Sequence, residues 1–185
     1  MNAFYYDTRP DELLAIRCQL GERAAFDELI GRWHDPLWRY LRSLCDSDDQ
    51  SADMAQDTWL RVLRGIASLR DPRDLRPWLF GIARRVAMDR LRRKYAQPAE
   101  ADEALADMPA PEPDGDLELA LDDLQHRLDS LPMIERETLA LFYLRELKLD
   151  QIAGLMSVPV GTVKSRLFRA RHLMRLQPQI RKDVP

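Results

Sequence analysis

Apolar residues recur every three or four positions along most of this chain, and the strict alternation of a half-buried strand is missing. Leu13, Leu14 and Ile16 mark a first helix from about Pro10 to Leu20. After Gly21, the residues Phe26, Leu29, Ile30 and Trp33 fall at i, i+3, i+4 and i+7, and Leu37, Tyr40, Leu41 and Leu44 carry the pattern beyond Pro36. The polar run CDSDDQSAD (45–53) reads as a turn in which Ser51 or Asp53 caps the next helix. That helix, about 52–66, carries Met54, Ala55, Thr58, Trp59, Val62 and Leu63. A loop holding Asp71-Pro72 follows, then a helix that starts at Leu75 or Pro77 and runs to Tyr95.

The rhythm then stops. Segment 96–116 holds four Pro, one Gly and no base, the composition of a linker that is extended or disordered when free. Leu117, Leu121, Leu124, Leu128 and Leu131 resume a helical stripe, and Ser130 offers a start signal for a helix through Leu139, Phe142 and Tyr143. Asp150 is placed to cap a short helix QIAGLM, Ser157-Val158-Pro159 makes a turn, and a longer helix reaches about Leu176. The expected fold class is all-α: two small helical domains, 1–95 and 117–185, joined by a flexible acidic linker at 96–116.

Charge changes this picture more than composition does. The 185 residues are 45% hydrophobic and 32% charged, as suits a core-forming helical protein, and the net charge is only −3. Residues 61–94 carry 11 bases against 3 acids (+8), 95–130 carry 1 against 11 (−10), and 161–182 carry 7 bases and no acid. Two basic blocks flank an acidic one, so the total says little about partners. Cys18 and Cys45 stand 27 apart in no CxxC arrangement, and are read as idle thiols in a reducing compartment. No apolar run approaches the ~18 residues of a membrane span, and MNAFYYDTRPDELL has no basic start before an apolar core. The expectation is a cytoplasmic protein without membrane insertion. His34, His126 and His172 sit in no HExxH-like pattern and the seven glycines form no phosphate loop, so no catalytic residue, metal or cofactor is expected.

The strongest motif is PVGTVKSRLFRAR (159–171). Ile152, Ala153 and Leu155 suit a short helix that crosses a longer one at a steep angle through a tight turn. On the longer helix Val160, Val163, Leu167, Ala170 and Met174 form an inward stripe, leaving Thr162, Lys164, Ser165, Arg166, Arg169 and Arg171 outward. Gly161 has no side chain where free N–H groups at the helix start would meet a phosphate backbone. A basic amphipathic helix can also lie on a membrane, but here the domain's own core needs the apolar face.

SLPMIERETLALFYLRELKLDQIAGLMSVPVGTVKSRLFRARHLMR resembles the C-terminal domain of extracytoplasmic-function (ECF) sigma factors. AFDELIGRWHDPLWRYLRSL is similar to the first helices of that family's sigma-2 domain, and DMAQDTWLRVLRGI to its polymerase-binding helix. LRPWLFGIARRVAMDRLRRK (75–94) resembles its minus-ten-reading helix, with Arg85 where the family commonly has asparagine. The resemblance implies a bacterial RNA polymerase sigma factor that directs promoter-specific initiation. Core polymerase would then be met by Asp53, Gln56, Asp57 and Leu60. Single-stranded minus-ten DNA would be met by Arg76, Trp78, Arg84, Arg85, Arg92 and Arg93, within a 68–94 block that melts and holds it. The minus-thirty-five duplex would be met by Gly161, Thr162, Lys164, Ser165, Arg166, Arg169 and Arg171. It also implies an anti-sigma factor as partner.

From the residues alone Trp78, Leu79, Ile82, Val86 and Asp89 are expected to serve the fold, and Trp59 either the core or a partner. The competing reading is a stand-alone helix-turn-helix regulator whose N-terminal domain senses a signal.

Overall fold

The computed structural model describes residues 9–45, 47–96, 128 and 130–176. Seven α-helices are assigned within them: α1 (Arg9–Gln19), α2 (Arg23–Arg42), α3 (Asp48–Gly65), α4 (Leu75–Ala96), α5 (Met133–Leu139), α6 (Leu149–Met156) and α7 (Val160–Leu176). Short 3₁₀ turns at Ile66–Ser68 and Pro72–Asp74 link α3 to α4. Among the described residues there is no strand. The linker 96–116 and the stripe at Leu117, Leu121 and Leu124 lie outside them, apart from Ala96 at the end of α4.

The first four helices bury one face each. Leu14 and Ala15 of α1, Leu29, Leu37 and Leu41 of α2, Met54 and Val62 of α3, and Leu79 and Ala83 of α4 share a common core. Phe80 is fully buried at its centre. Its ring meets Tyr40 edge-on at 5.3 Å and Trp33 at 6.2 Å, the geometry the aromatic quadrupole favours. Pro36 lies inside α2, which remains one helix of 20 residues.

Three helix starts differ from expectation. Helix α3 begins four residues early, because Ser47 in extended backbone accepts a bond from the Gln50 N–H. Ser51 is then inside the helix and buried, its hydroxyl donating to the Ser47 carbonyl at 2.9 Å. Asp53 is likewise helical and exposed. Helix α6 is entered at Lys148, whose N–H donates to Gln151 Oε1 at 3.0 Å; Asp150 sits in the first turn without capping. Since the Gln50–Ser47 bond is long at 3.5 Å, Ser47→Ala is expected to destabilise by only about 0.5 kcal/mol, the low end for caps, in urea unfolding.

Helix α5 starts at Met133 with Pro132 at its N-cap, two residues after Ser130. Its last turn widens to a π-turn over Ala140–Leu144, closed by the Arg145 N–H on the Ala140 carbonyl. Glu146 and Ser157 both adopt left-handed backbone at φ 55°, and they start the chain reversals before α6 and α7.

The two helical units are not separate. Leu141, Leu147, Ile152, Ala153, Met156, Val163 and Leu167 join the same buried cluster as the first four helices. Leu131, Leu139 and Ala170 form a second, smaller cluster with Leu128, Leu173 and Met174 around them.

Candidate nucleic-acid and partner interfaces

Helix α7 buries Val163, Leu167 and Ala170 completely, which fixes the rest of its circumference outward. Met174 is half-buried against the smaller cluster. Val160, expected in the inward stripe, is 38% exposed, because the first helical residue lies ahead of the point where α7 meets α6. Gly161, Lys164, Ser165, Arg169 and Arg171 are exposed, while Thr162 and Arg166 are half-buried. A Cβ at Gly161 would meet open space, so the start of α7 is accessible to a large partner.

Most of these side chains are held only lightly. Ser165 donates to the Thr162 carbonyl, Arg166 reaches the Met156 sulfur at 3.8 Å, and Arg169 lies 3.5 Å from Glu135. Arg171 donates back to the Leu167 carbonyl and lies over Tyr143 at 6.0 Å. A face of exposed cations with no acid in its first turn is built for an anion-rich surface. Phe168, to which the sequence pattern assigned no role, is 73% exposed on this face and stacks parallel to His172. Its position at i+4 from Lys164 and i+3 from Ser165 was the available signal.

Helix α4 sorts its arginines differently. Arg85, Arg92 and Arg93 are exposed, and among the described residues Arg85 bonds back to the Gly81 carbonyl. Arg92 and Arg61 both reach Asp89, which holds that carboxyl below its usual range chiefly through the Arg92 bond. Arg76 and Arg84 are drawn inward instead. Arg76 donates to buried Asp11 at 2.8 Å and lies over Trp33 at 5.2 Å. Arg84 donates to Glu137 of α5 at 2.8 Å. Trp78 is half-buried, its ring 3.4 Å from where a Cβ of Gly65 would stand. Phe80, the other aromatic of this stretch, is enclosed and open to no base.

On α3, Asp53, Gln56, Asp57 and Leu60 are all exposed along one strip, with Leu63 44% exposed beside it. Asp53 pairs with Arg90 at 3.0 Å. Asp57 lines a groove of about 420 Å³ with Gln50, Arg61, Asp89, Arg90 and Arg93. Trp59 belongs to the core at 8% exposure, and its indole N–H donates to His34 at 3.2 Å.

No helix among the described residues is long and apolar enough to cross a membrane. Among the same residues no cluster of His, Cys, Asp or Glu is arranged to hold a metal ion.

Residues 29–97 match the family described as Sigma-70 region 2, and residues 121–174 that described as Sigma-70, region 4. The ECF RNA polymerase sigma factor SigM of Mycobacterium tuberculosis is 33% identical over 160 residues, covering 86% of this chain and 80% of that protein. SigW of Bacillus subtilis is 29% identical over 170 residues, covering 85% of this chain and 90% of SigW. Among solved structures, the sigma factor RpoE bound to the anti-sigma factor NepR from Bartonella quintana is similar, with a TM-score of 0.69 at 25% identity. That match covers 81% of this chain and 94% of the other. A CnrH chain, solved with the cytosolic domain of CnrY, shares the fold at a TM-score of 0.65 and 24% identity, covering 89% and 94%. Exposed cations on α7, an acidic–apolar strip on α3 and both sigma-70 regions in order leave one assignment: this chain belongs to the ECF subfamily of RNA polymerase sigma factors.

Proposed function

We propose that this sigma factor divides promoter recognition between its two helical units, 1–95 and 117–185, and docks on core polymerase through α3. The observation that carries this reading is α7, whose buried Val163, Leu167 and Ala170 leave a continuous cationic face outward. Gly161, Thr162, Lys164, Ser165, Arg166, Arg169 and Arg171 meet the minus-thirty-five duplex. At the exposed start of the helix the Val160 and Gly161 N–H groups face a phosphate, while those of Thr162 and Val163 donate to the Pro159 carbonyl.

Asp53, Gln56, Asp57 and Leu60 meet core polymerase, where an acidic rim around an apolar Leu suits a basic, partly apolar partner. The 68–94 block opens and holds minus-ten DNA, with exposed Arg85, Arg92 and Arg93 on the phosphates and half-buried Trp78 at the unstacked base. Arg76 and Arg84 reach DNA only after leaving their present carboxylates. The protein supplies binding, positioning and strand capture; RNA synthesis is the polymerase's chemistry. Its place is the cytoplasm, where it meets core polymerase and promoter DNA. An anti-sigma factor is its further partner, supported by the likeness to RpoE solved with NepR.

Two tethered contacts raise each other's effective concentration, so neither module needs tight binding alone. Lys164 is exposed and forms no ion pair among the described residues, so Lys164→Ala tests the assignment of α7. Holoenzyme binding to a promoter duplex is expected to weaken, and the slope of log K against log salt to fall by about 1. An unchanged slope would remove this side chain from the phosphates.

A further inference from the structure

Gln19, the last residue of α1, reaches the turn that joins α3 to α4. Its amide nitrogen donates to the Leu69 carbonyl at 2.7 Å and to the Ile66 carbonyl at 3.3 Å. Of the two ends of an amide, carbonyl oxygens accept from the nitrogen alone, so these two partners fix how the side chain is turned. The Leu69 N–H also donates to the Ile66 carbonyl at 3.1 Å, which closes the turn on itself. Gln19 lies ahead of the matched residues 29–97, whereas the turn lies within them.

The Leu69 carbonyl belongs to the peptide unit that leads into Arg70. A planar peptide held at its oxygen fixes the direction in which the chain continues. Leu69 is buried in extended backbone at φ −66° and ψ 112°, so the next side chain points the opposite way, to solvent. Arg70 is exposed there and forms no ion pair among the described residues. Arg73, the other exposed arginine of the turn, is already engaged: Asp71 accepts from its Nε at 3.0 Å and from its Nη2 at 2.8 Å. Asp71 also accepts from the Arg73 backbone N–H at 3.0 Å. At its other end the turn leaves Gly65, whose carbonyl accepts from the Ser68 hydroxyl at 2.7 Å and beside which the Trp78 ring stands. A cation without a carboxylate and an aromatic ring beside one turn suit the two parts of single-stranded DNA, phosphate and base.

We infer that Arg70 is a further phosphate contact for single-stranded minus-ten DNA and that Gln19 is its positioning residue, aiming it through the Leu69–Arg70 peptide. The phosphate contact rests on the minus-ten reading of 68–94 proposed above, whereas the anchor stands on the two Gln19 hydrogen bonds. A turn held before DNA arrives avoids part of the ordering cost that a loose loop meets on binding. Arg70 then has only its own side chain to order.

Holoenzyme and a promoter template whose minus-ten stretch is kept open by mismatches test this, because strand capture is then read apart from melting. Arg70→Ala is expected to weaken binding about fivefold and to lower the slope of log K against log salt by about 0.7, as for one phosphate of a single strand. Arg70→Lys keeps the charge and is expected to keep the slope. Gln19→Ala is expected to weaken binding about threefold with Arg70 present and to add nothing once Arg70→Ala has been made, since it acts through that side chain. Should Gln19→Ala lower the helical content, Gln19→Glu keeps the length, replaces the donor by a carboxylate oxygen, and must show the same dependence on Arg70.

A slope unmoved by Arg70→Ala overturns the phosphate contact; if Arg85→Ala still weakens binding to the same template, the minus-ten reading survives that result. If neither Arg70→Ala nor Arg85→Ala weakens binding, both fall. Losses from Gln19→Ala and Arg70→Ala that simply add would make Gln19 a residue of the fold alone and overturn its positioning role.

Discussion

Phe80→Ala is expected to cost about 3–5 kcal/mol of folding stability. The ring is fully buried and meets Trp33 and Tyr40 edge-on, with Arg145 above it. Truncation leaves a cavity lined by side chains from α2, α4 and the segment after the π-turn. Those elements are fixed by contacts of their own, so collapse into the space is only partial. Urea unfolding followed by circular dichroism and by tryptophan fluorescence measures the loss. Phe168→Ala is the counterpart: that ring is 73% exposed, so stability should move by no more than about 0.5 kcal/mol. A Phe80→Ala chain as stable as wild type would mean that the aromatic cluster is not the centre of the core.

The second large effect is on binding. Asp57→Arg is expected to weaken association with core polymerase by well over about tenfold, reversing a charge at the middle of the proposed docking strip. Folding should be nearly unaffected, because Asp57 is exposed and makes no hydrogen bond or ion pair among the described residues. The new cation faces Arg61, Arg90 and Arg93 across the groove, a repulsion of roughly a few tenths of a kcal/mol at such exposure. Co-migration with core polymerase, read beside a thermal melt, separates the two effects. Asp53→Ala is the milder comparison, since that carboxylate is already paired with Arg90. Unchanged polymerase binding by Asp57→Arg would take the docking surface off α3.

Much of this architecture was readable from local pattern. Helix α7 begins at Val160 and ends at Leu176 as its apolar spacing implied, because one buried stripe dictates both its period and its orientation. Pattern alone offered Ser51 or Asp53 as the cap and passed over Ser47. All three side chains can cap, and only the backbone at Ser47, extended at φ −133°, decided it. The same holds at Lys148, where Gln151 satisfies the entering N–H in place of Asp150.

What the sequence could not show is long-range pairing. Arg76 and Arg84 look like DNA-facing cations in a basic block, yet their carboxylates come from residues 65 and 53 positions away. Glu137 sits in an arginine–glutamate pair whose burial depends on a helix from the other half of the chain. The docking of the two halves was equally illegible, since the expected acidic tether says nothing about whether its ends meet. Phe168 was missed for a different reason: an aromatic on an amphipathic helix is ordinarily assigned to the core.

The region 2 match over residues 29–97 removes the rival in which the first half senses a signal. The most direct test of the whole account is initiation by purified core polymerase on a promoter template, with the chain present or absent and the RNA 5′ end mapped. The account predicts a single defined start that requires this chain, and loss of that transcript with Asp57→Arg. Transcription indifferent to the chain, or operator-like binding of the chain alone with no core-dependent start, would contradict it.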